Sequence, residues 1–402
     1  MRGFVTKCDK ASFFLKAICK WTFGCHKAQN ILQLLKRLTE ENIRYFHKWN
    51  RGKVKLVTLK EIAQECGVSA ATVSNILNGK KKVSEETKAR VLEVVERRGY
   101  KLNYVAQGLR RQKTQTIGII AEDISQFTTP LIIEGIMESC EARGYRTIVQ
   151  NLRLYARWHD AWFDNEKMYH SVMDPAVQEM ASIRVDGIVY VAGHARKIHR
   201  FPTDYQIPAV LAYAYAEQKE IPSVVIDDED GAREIVEYLI RHGHRKIGVI
   251  AGEQENMHTK LRILGYQKAL YDAGILYNPE YIVYSGWSRE HGYKGAEKLL
   301  KQDVTAVFCM NDRIAGGVYA YLYDHHKKVG EDISVVGFDN EMQSEYLLPG
   351  LTTMKIDLEG IGKRATEELM NLIEGEEVER KTPVSCQLIE RNSVIEIAKE
   401  GL

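Results

Sequence analysis

Residues Thr58–Leu77 read TLKEIAQECGVSAATVSNIL. Thr58 and Glu61 form a T-x-x-E capping box, in which two side chains satisfy free backbone donors reciprocally and start a helix at Leu59. Ile62 and Ala63 supply its apolar face, and Cys66-Gly67-Val68 breaks it, because glycine reaches the left-handed conformation a tight turn needs. Ser69 caps a second helix, Ala70–Leu77, whose Val73, Ile76 and Leu77 fall at helical spacing and point inward. The opposite face presents Ala70, Ala71, Thr72, Ser74 and Asn75. It is small and polar, as a helix must be to enter a major groove and touch base edges. Asn78-Gly79 ends this helix. After Lys80–Lys82, Ser84 caps a third, with Glu85 and Glu86 in its first turn and Arg97-Arg98-Gly99 at its close. The pattern predicts a helix-turn-helix, although short three-helix units also serve as protein-binding modules.

Charge separates this front end from the rest. Residues 1–55 hold 13 Lys and Arg against 3 Asp and Glu, residues 56–113 hold 12 against 6, and the remainder holds 31 against 45. A basic front on an acidic body confines polyanion contact to the N-terminal quarter.

From Thr116 onward, short apolar strands alternate with amphipathic helices: IGIIAEDI, YRTIVQNL, DGIVYVAG and IPAVLAY in a first lobe. The pattern restarts after a helix expected over Gly231–His242, with KIGVIAG, YIVYSG, TAVFCMND and ISVVGFDN in a second lobe. The chain crosses back through LTTMKIDL and a helix near Gly360–Ile373. Such alternation predicts doubly wound parallel sheets. Two of them joined by crossovers leave a cleft at the carboxyl ends of the strands, where small molecules bind.

Several classes find no support. No run of about 18 apolar residues is present, so no membrane partner is expected. Ser12–Phe23 is apolar but interrupted by Lys16 and Lys20 and lacks a small-residue cleavage site. The seven cysteines are scattered without a CxxC pair, which fits reduced thiols in the cytoplasm better than disulfides or a zinc cage. Neither G-x-x-x-x-G-K-[ST] nor G-x-G-x-x-G occurs, so no cofactor and no catalytic residue are expected. Asp312 and Asp339 as a glycosidase pair are better explained by ligand binding. His242 and His244 lie at a glycine helix end, and His325-His326 has no partners at metal spacing, so no metal is expected either.

The string Val57–Arg111 resembles the headpiece of the LacI/GalR repressor family along its whole length. The resemblance continues through VVIDDEDGAREIVEYLIRHGHRKIGVIAG and VVGFDNEMQSEYLLPGLTTMKID to LIERNSV. It implies an N-terminal all-α helix-turn-helix headpiece followed by a two-lobed, doubly wound, periplasmic-binding-protein-like α/β ligand domain. By position it implies that Ala70, Ala71 and Asn75 read bases and that Ser69, Thr72 and Asn78 hold phosphate. Asn75 departs from the arginine common in that family. Arginine prefers guanine and asparagine prefers adenine. Asn103, Ala106 and Leu109 match the hinge helix, with Leu109 as an apolar wedge that kinks the minor groove.

In the body, the resemblance implies ligand contact by Asp123, Arg262, Trp287, Asn311 and Asp339. Arg262 offers a planar fork, Asp339 an acceptor for paired hydroxyls and Trp287 a stacking face. Gln126 and Phe127 stand where the family commonly has N-P-F-F, so they join the candidates while the usual aromatic wall is rearranged. The long aromatic stretch Arg153–Asp174 is expected to pack on its own domain, with a role in the cleft or a lid as the alternative.

The resulting expectation is a cytoplasmic regulator that binds double-stranded operator DNA as a homodimer, with a tetramer left open. A small effector, a sugar or related metabolite, would set its affinity. A two-lobed sugar-binding receptor without DNA function is the alternative. The expected division is 1–55 extension, 56–102 headpiece, 103–113 hinge and linker, and 114–402 ligand and dimerisation domain. The extension has no counterpart in the family, and translation is expected to begin near Leu56 or Val57; otherwise it would be a basic DNA-binding arm or a membrane-surface helix.

Overall fold

The computed structural model describes residues 57–77, 83–100, 113–159, 161–163 and 165–397. The chain divides into two compact units, Met1–Asn103 and Tyr104–Leu402.

In the first unit, α1 (Leu59–Cys66), α2 (Ala70–Leu77) and α3 (Glu85–Arg97) enclose a core of Ile62, Ala63, Cys66, Val73, Ile76, Val91 and Val94. The capping box is complete: Thr58 N donates to Glu61 Oε2 at 2.8 Å and Glu61 N donates to Thr58 Oγ1 at 3.3 Å. Gly67 adopts φ 64°, the left-handed turn that redirects the chain into α2. Glu65 accepts from Arg98 Nε at 2.7 Å and also pairs with Arg97, which ties α1 to the end of α3.

The second unit holds two six-stranded sheets. The first lobe contains β1 (Thr116–Ala121), α4 (Thr129–Ala142), β2 (Arg146–Asn151), α5 (Leu154–Trp158), α6 (Glu166–Ile183) and β3 (Gly187–Val191). It continues with β4 (Lys197–Ile198), β5 (Ala209–Ala212), β6 (Tyr215–Ala216) and β7 (Ser223–Ile226). The chain then passes through α7 (Asp228–Arg241) into the second lobe: β8 (Ile247–Ala251), α8 (Met257–Asp272), β9 (Ile282–Tyr284), α9 (Arg289–Leu299) and β10 (Ala306–Cys309). That lobe continues with α10 (Asp312–Asp324), β11 (Ser334–Asp339), α11 (Gln343–Tyr346) and β12 (Thr352–Ile356). Helix α12 (Leu358–Glu374) and β13 (Lys381–Val384) return to the first lobe, and β14 (Cys386–Ile389) closes the second.

The sheet orders are β13-β7-β5-β3-β1-β2 and β14-β12-β11-β10-β8-β9, with only β14 antiparallel to its neighbour. Alternation sets the layers of the first lobe. Ile117, Ile119 and Ala121 face one core with Ile132, Ile136, Ile361 and Leu369 from α4 and α12. Ile120, Ile188 and Tyr190 face another with Met173, Val177 and Met180 from α6. Helix α7 begins three residues before the Gly231 start expected from sequence. Asp227 is the cap that decides this, accepting from Asp230 N at 3.2 Å. The strands at Ser223–Ile226, Lys381–Val384 and Cys386–Ile389 were not anticipated; each is only four residues long and two sit at sheet edges.

Candidate functional sites: a helix-turn-helix face and an interlobe cleft

Ser69 Oγ accepts from Thr72 N at 3.0 Å and lies 2.9 Å from Thr72 Oγ1, so the start of α2 is fixed by its own hydroxyls. Ser69, Ala71 and Asn75 are exposed, with Ala71 and Asn75 one turn apart on the same strip. Thr72 and Ser74 flank them half-buried. Ala70 corrects the sequence reading in part: half-buried, its methyl packs on the headpiece core, because the first residue of α2 sits against the turn from α1. Asn78, Asn103, Ala106 and Leu109 lie outside the described residues.

Between the two lobes of the second unit lies a cavity of about 1170 Å3. Gln126, Tyr155 and His194 line it from the first lobe; Glu253, Trp287, Asp312 and Arg313 are among the second-lobe residues facing it. Trp287 is seated by two neighbours. Asn311 Nδ2 donates to its backbone oxygen at 3.1 Å, and a Cβ on Gly252 would fall 2.2 Å from its indole, so only glycine leaves room for the ring. Tyr155 meets His194 edge-on at 5.5 Å. Burial holds the His194 imidazole down to about 4, and the Arg313 guanidinium acts in the same direction, so it faces the cleft neutral.

Of the residues singled out from sequence, Gln126 and Trp287 are on this wall. Phe127 is half-buried with the Arg313 guanidinium 5.4 Å from its ring centre, and Arg313 also pairs with Glu341. Asn311 caps α10, its Oδ1 accepting from Ile314 N at 2.8 Å. Asp123 is bound by its own loop and by α5: Oδ1 accepts from Ser125 Oγ at 2.7 Å and Oδ2 from Ala156 N at 3.2 Å. Burial alone would raise this carboxyl, but those hydrogen bonds and the Arg153 charge bring it below its ordinary value.

Arg262 is 2% exposed and does not reach the cavity wall. Its Nε donates to Asp228 Oδ1 at 2.8 Å, Nη1 donates to the Met310 carbonyl, and Nη2 lies 3.6 Å from Asp339 Oδ1. The guanidinium also stacks on Phe338, 3.7 Å from its ring centre. Asp339 sits at φ 101°, a strained backbone for a side-chain-bearing residue. Its carboxyl is raised to about 7, by burial first, with Arg262 opposing and Glu341 and Asp228 adding. Asp312 is likewise raised well above the carboxylate range by burial; its oxygens meet Thr353 Oγ1 at 2.6 Å and Glu341 N at 2.7 Å.

Trp162 and Tyr169, from the stretch Arg153–Asp174, pack on the first lobe around Arg196, whose guanidinium lies 4.5 Å and 4.8 Å from the two rings. Glu122 anchors that guanidinium, accepting from Nε at 2.9 Å. Tyr155, from the same stretch, faces the cavity instead. Sequence reasoning did not single out Tyr155, His194 or Asp228; the only signal for the first was the density of aromatics around it. Among the described residues no His, Cys, Asp and Glu cluster could hold a metal, and no helix is long and apolar enough to cross a membrane.

A three-helix DNA-reading unit joined to a two-lobed binding domain defines a class of ligand-responsive transcriptional regulators. Residues 58–103 match the profile of bacterial regulatory proteins of the lacI family, and residues 236–394 match the periplasmic binding protein-like domain. The chain is 33% identical over 332 residues to catabolite control protein A of Priestia megaterium, covering 80% of this chain and 94% of that one. It is 33% identical to the HTH-type transcriptional repressor PurR of Pectobacterium carotovorum, covering 84% and 97%. Among solved structures, the lac repressor dimer bound to operator and the anti-inducer ONPF matches with TM-score 0.68 at 25% identity, over 85% of this chain and all of that one. The chain belongs to the lacI family of DNA-binding transcriptional regulators.

Proposed function

We propose that this chain is a homodimeric repressor that reads a two-fold-symmetric operator through α2 and the hinge, and whose operator affinity is set by a small metabolite in the interlobe cleft. The observation that carries the reading is the exposed strip of Ser69, Ala71 and Asn75 on a packed helix-turn-helix whose three helices are each capped at the N-terminus. A side chain as short as alanine lets the helix backbone approach thymine methyl groups, and Asn75 matches the N6 and N7 edge of adenine. Two-fold pairing is supported by exposed Met342 and Tyr346 at the two ends of α11 on the second lobe. The lac repressor matched above is itself a dimer on operator DNA in its solved structure. Such a dimer works in the cytoplasm, on chromosomal DNA.

For the ligand, Trp287 and Gln126 form the contact set with Tyr155 and His194, while Arg262, Asp339 and Asn311 support it from behind. Aromatic faces and neutral hydrogen-bonding groups suit a sugar or a related ring compound. Selection of binding sites from random duplex DNA by the full chain should enrich paired, inverted half-sites. Enrichment of single half-sites, or none, would overturn the dimeric operator reading. Adding monosaccharides, disaccharides and purines singly to the selected complex then identifies the effector class by the change in affinity.

A further inference from the structure

His258 on α8 of the second lobe is 6% exposed and touches both lobes. Its Nδ1 lies 2.8 Å from Asp228 Oδ2, at the start of α7 where the chain has just left β7. Its Nε2 accepts from the backbone N–H of Ala195, 3.3 Å away in the loop after β3 of the first lobe. These partners dictate the proton positions. Burial pushes Asp228 up, but the Arg262 guanidinium and the hydrogen bonds from Arg262 and His258 hold it below its ordinary value, so it is an ionised carboxylate and accepts only. The hydrogen therefore sits on Nδ1. A backbone N–H only donates, so Nε2 must keep its lone pair, and the imidazole is neutral in one tautomer.

The surroundings leave this ring no other arrangement. Asp228 is pinned by Arg262, which is itself held by Met310, Phe338 and Asp339. Tyr213 of the first lobe stands 5.5 Å from the imidazole, and Trp287 of the second stands edge-on at 6.3 Å. The remaining titratable neighbours are His194, next to Ala195 and kept neutral by burial, and Arg313, which acts on His194. A second proton on His258 would place N–H against the Ala195 N–H in a buried contact.

We propose that His258 is a positioning residue that latches the two lobes through the Ala195 amide, and that protonation of its imidazole releases this latch. The latch is independent of which ligand fills the cleft and of which operator is bound. Hydrogen exchange of the full chain, read on a peptide spanning residues 192–196 and corrected for intrinsic rates, tests it by comparing about pH 8 with about pH 5.5. Wild-type protection should fall about tenfold or more on acidification. In His258→Gln, whose side-chain oxygen accepts from an amide at any pH, protection should persist at both values. In His258→Phe it should be low at both. Equal wild-type protection at the two pH values, or the same acid loss in His258→Gln, would overturn the proposal.

Discussion

In the headpiece, the side chains that hold the fold, such as Ile62, Val73 and Val91, are separate from those presented outward, Ala71 and Asn75. Beside the cleft, side chains with the chemistry of ligand contacts are themselves engaged in holding the fold. Arg262 was expected as a ligand fork, yet its nitrogens are engaged by Asp228, Met310 and Asp339. A site on one exposed helix face leaves its readers free because a three-helix core needs only the other face. A site between two lobes forms where charged strand ends converge, and those charges must neutralise one another once buried.

The largest effect is expected in Arg262→Ala. It strands the fully buried Asp228 carboxylate, and breaking such a pair costs about 3–5 kcal/mol. Urea unfolding of the ligand domain should show that loss. Unchanged stability would mean that Arg262 is a spare binding fork and that the two regions are built alike.

Next comes pH. The folded chain keeps the Asp339 proton up to about 7, whereas the unfolded chain releases it near its ordinary value of 3.8. Between these values the folded state binds more protons. Stability from this group is therefore full below about pH 4 and lost as pH rises to about 7, with a slope approaching about 1.4 kcal/mol per pH unit. His194 acts in the opposite sense. Held down to about 4 from 6.5, it contributes stability above 6.5 that is lost as pH falls to about 4. Comparing denaturation midpoints across pH, Asp339→Asn should remove the loss on raising pH and His194→Gln the loss on lowering it. Identical profiles for wild type and both variants would show that the cleft does not hold its charges in this way.

The smallest effect sharpens the headpiece side. Thr58→Ala removes one arm of the capping box and should cost about 1 kcal/mol of headpiece stability. Thermal unfolding of the full chain should register it in the headpiece transition alone. A loss in the ligand domain would contradict the separation of the two units.

The same contrast explains what could be read in advance. Thr58, Glu61, Gly67 and Ser84 act within four residues of themselves, so the three helices were legible from local spacing. The two lobes were legible because buried parallel strands read as apolar runs such as Thr116–Ala121. The cleft was not. Asp228 reaches His258 across 30 positions and Arg262 across 34, and Ala195 reaches His258 across 63, so no local pattern marks them as one cluster. Tyr155 carries the same aromatic signal as Trp162 a few residues on, and only the fold turns one to the cavity and the other to the core.

As proposed, the outward strip of α2 reads DNA bases, with Asn75 standing where the family resemblance leads one to expect arginine. Parallel selections from random duplex DNA with wild type and Asn75→Arg test it directly, with thermal unfolding to show that this exposed substitution leaves stability within about 0.5 kcal/mol. The expected result is one half-site position that changes from adenine to guanine, with each protein favouring its own site by about 1–3 kcal/mol. Identical half-sites for the two proteins would contradict the account.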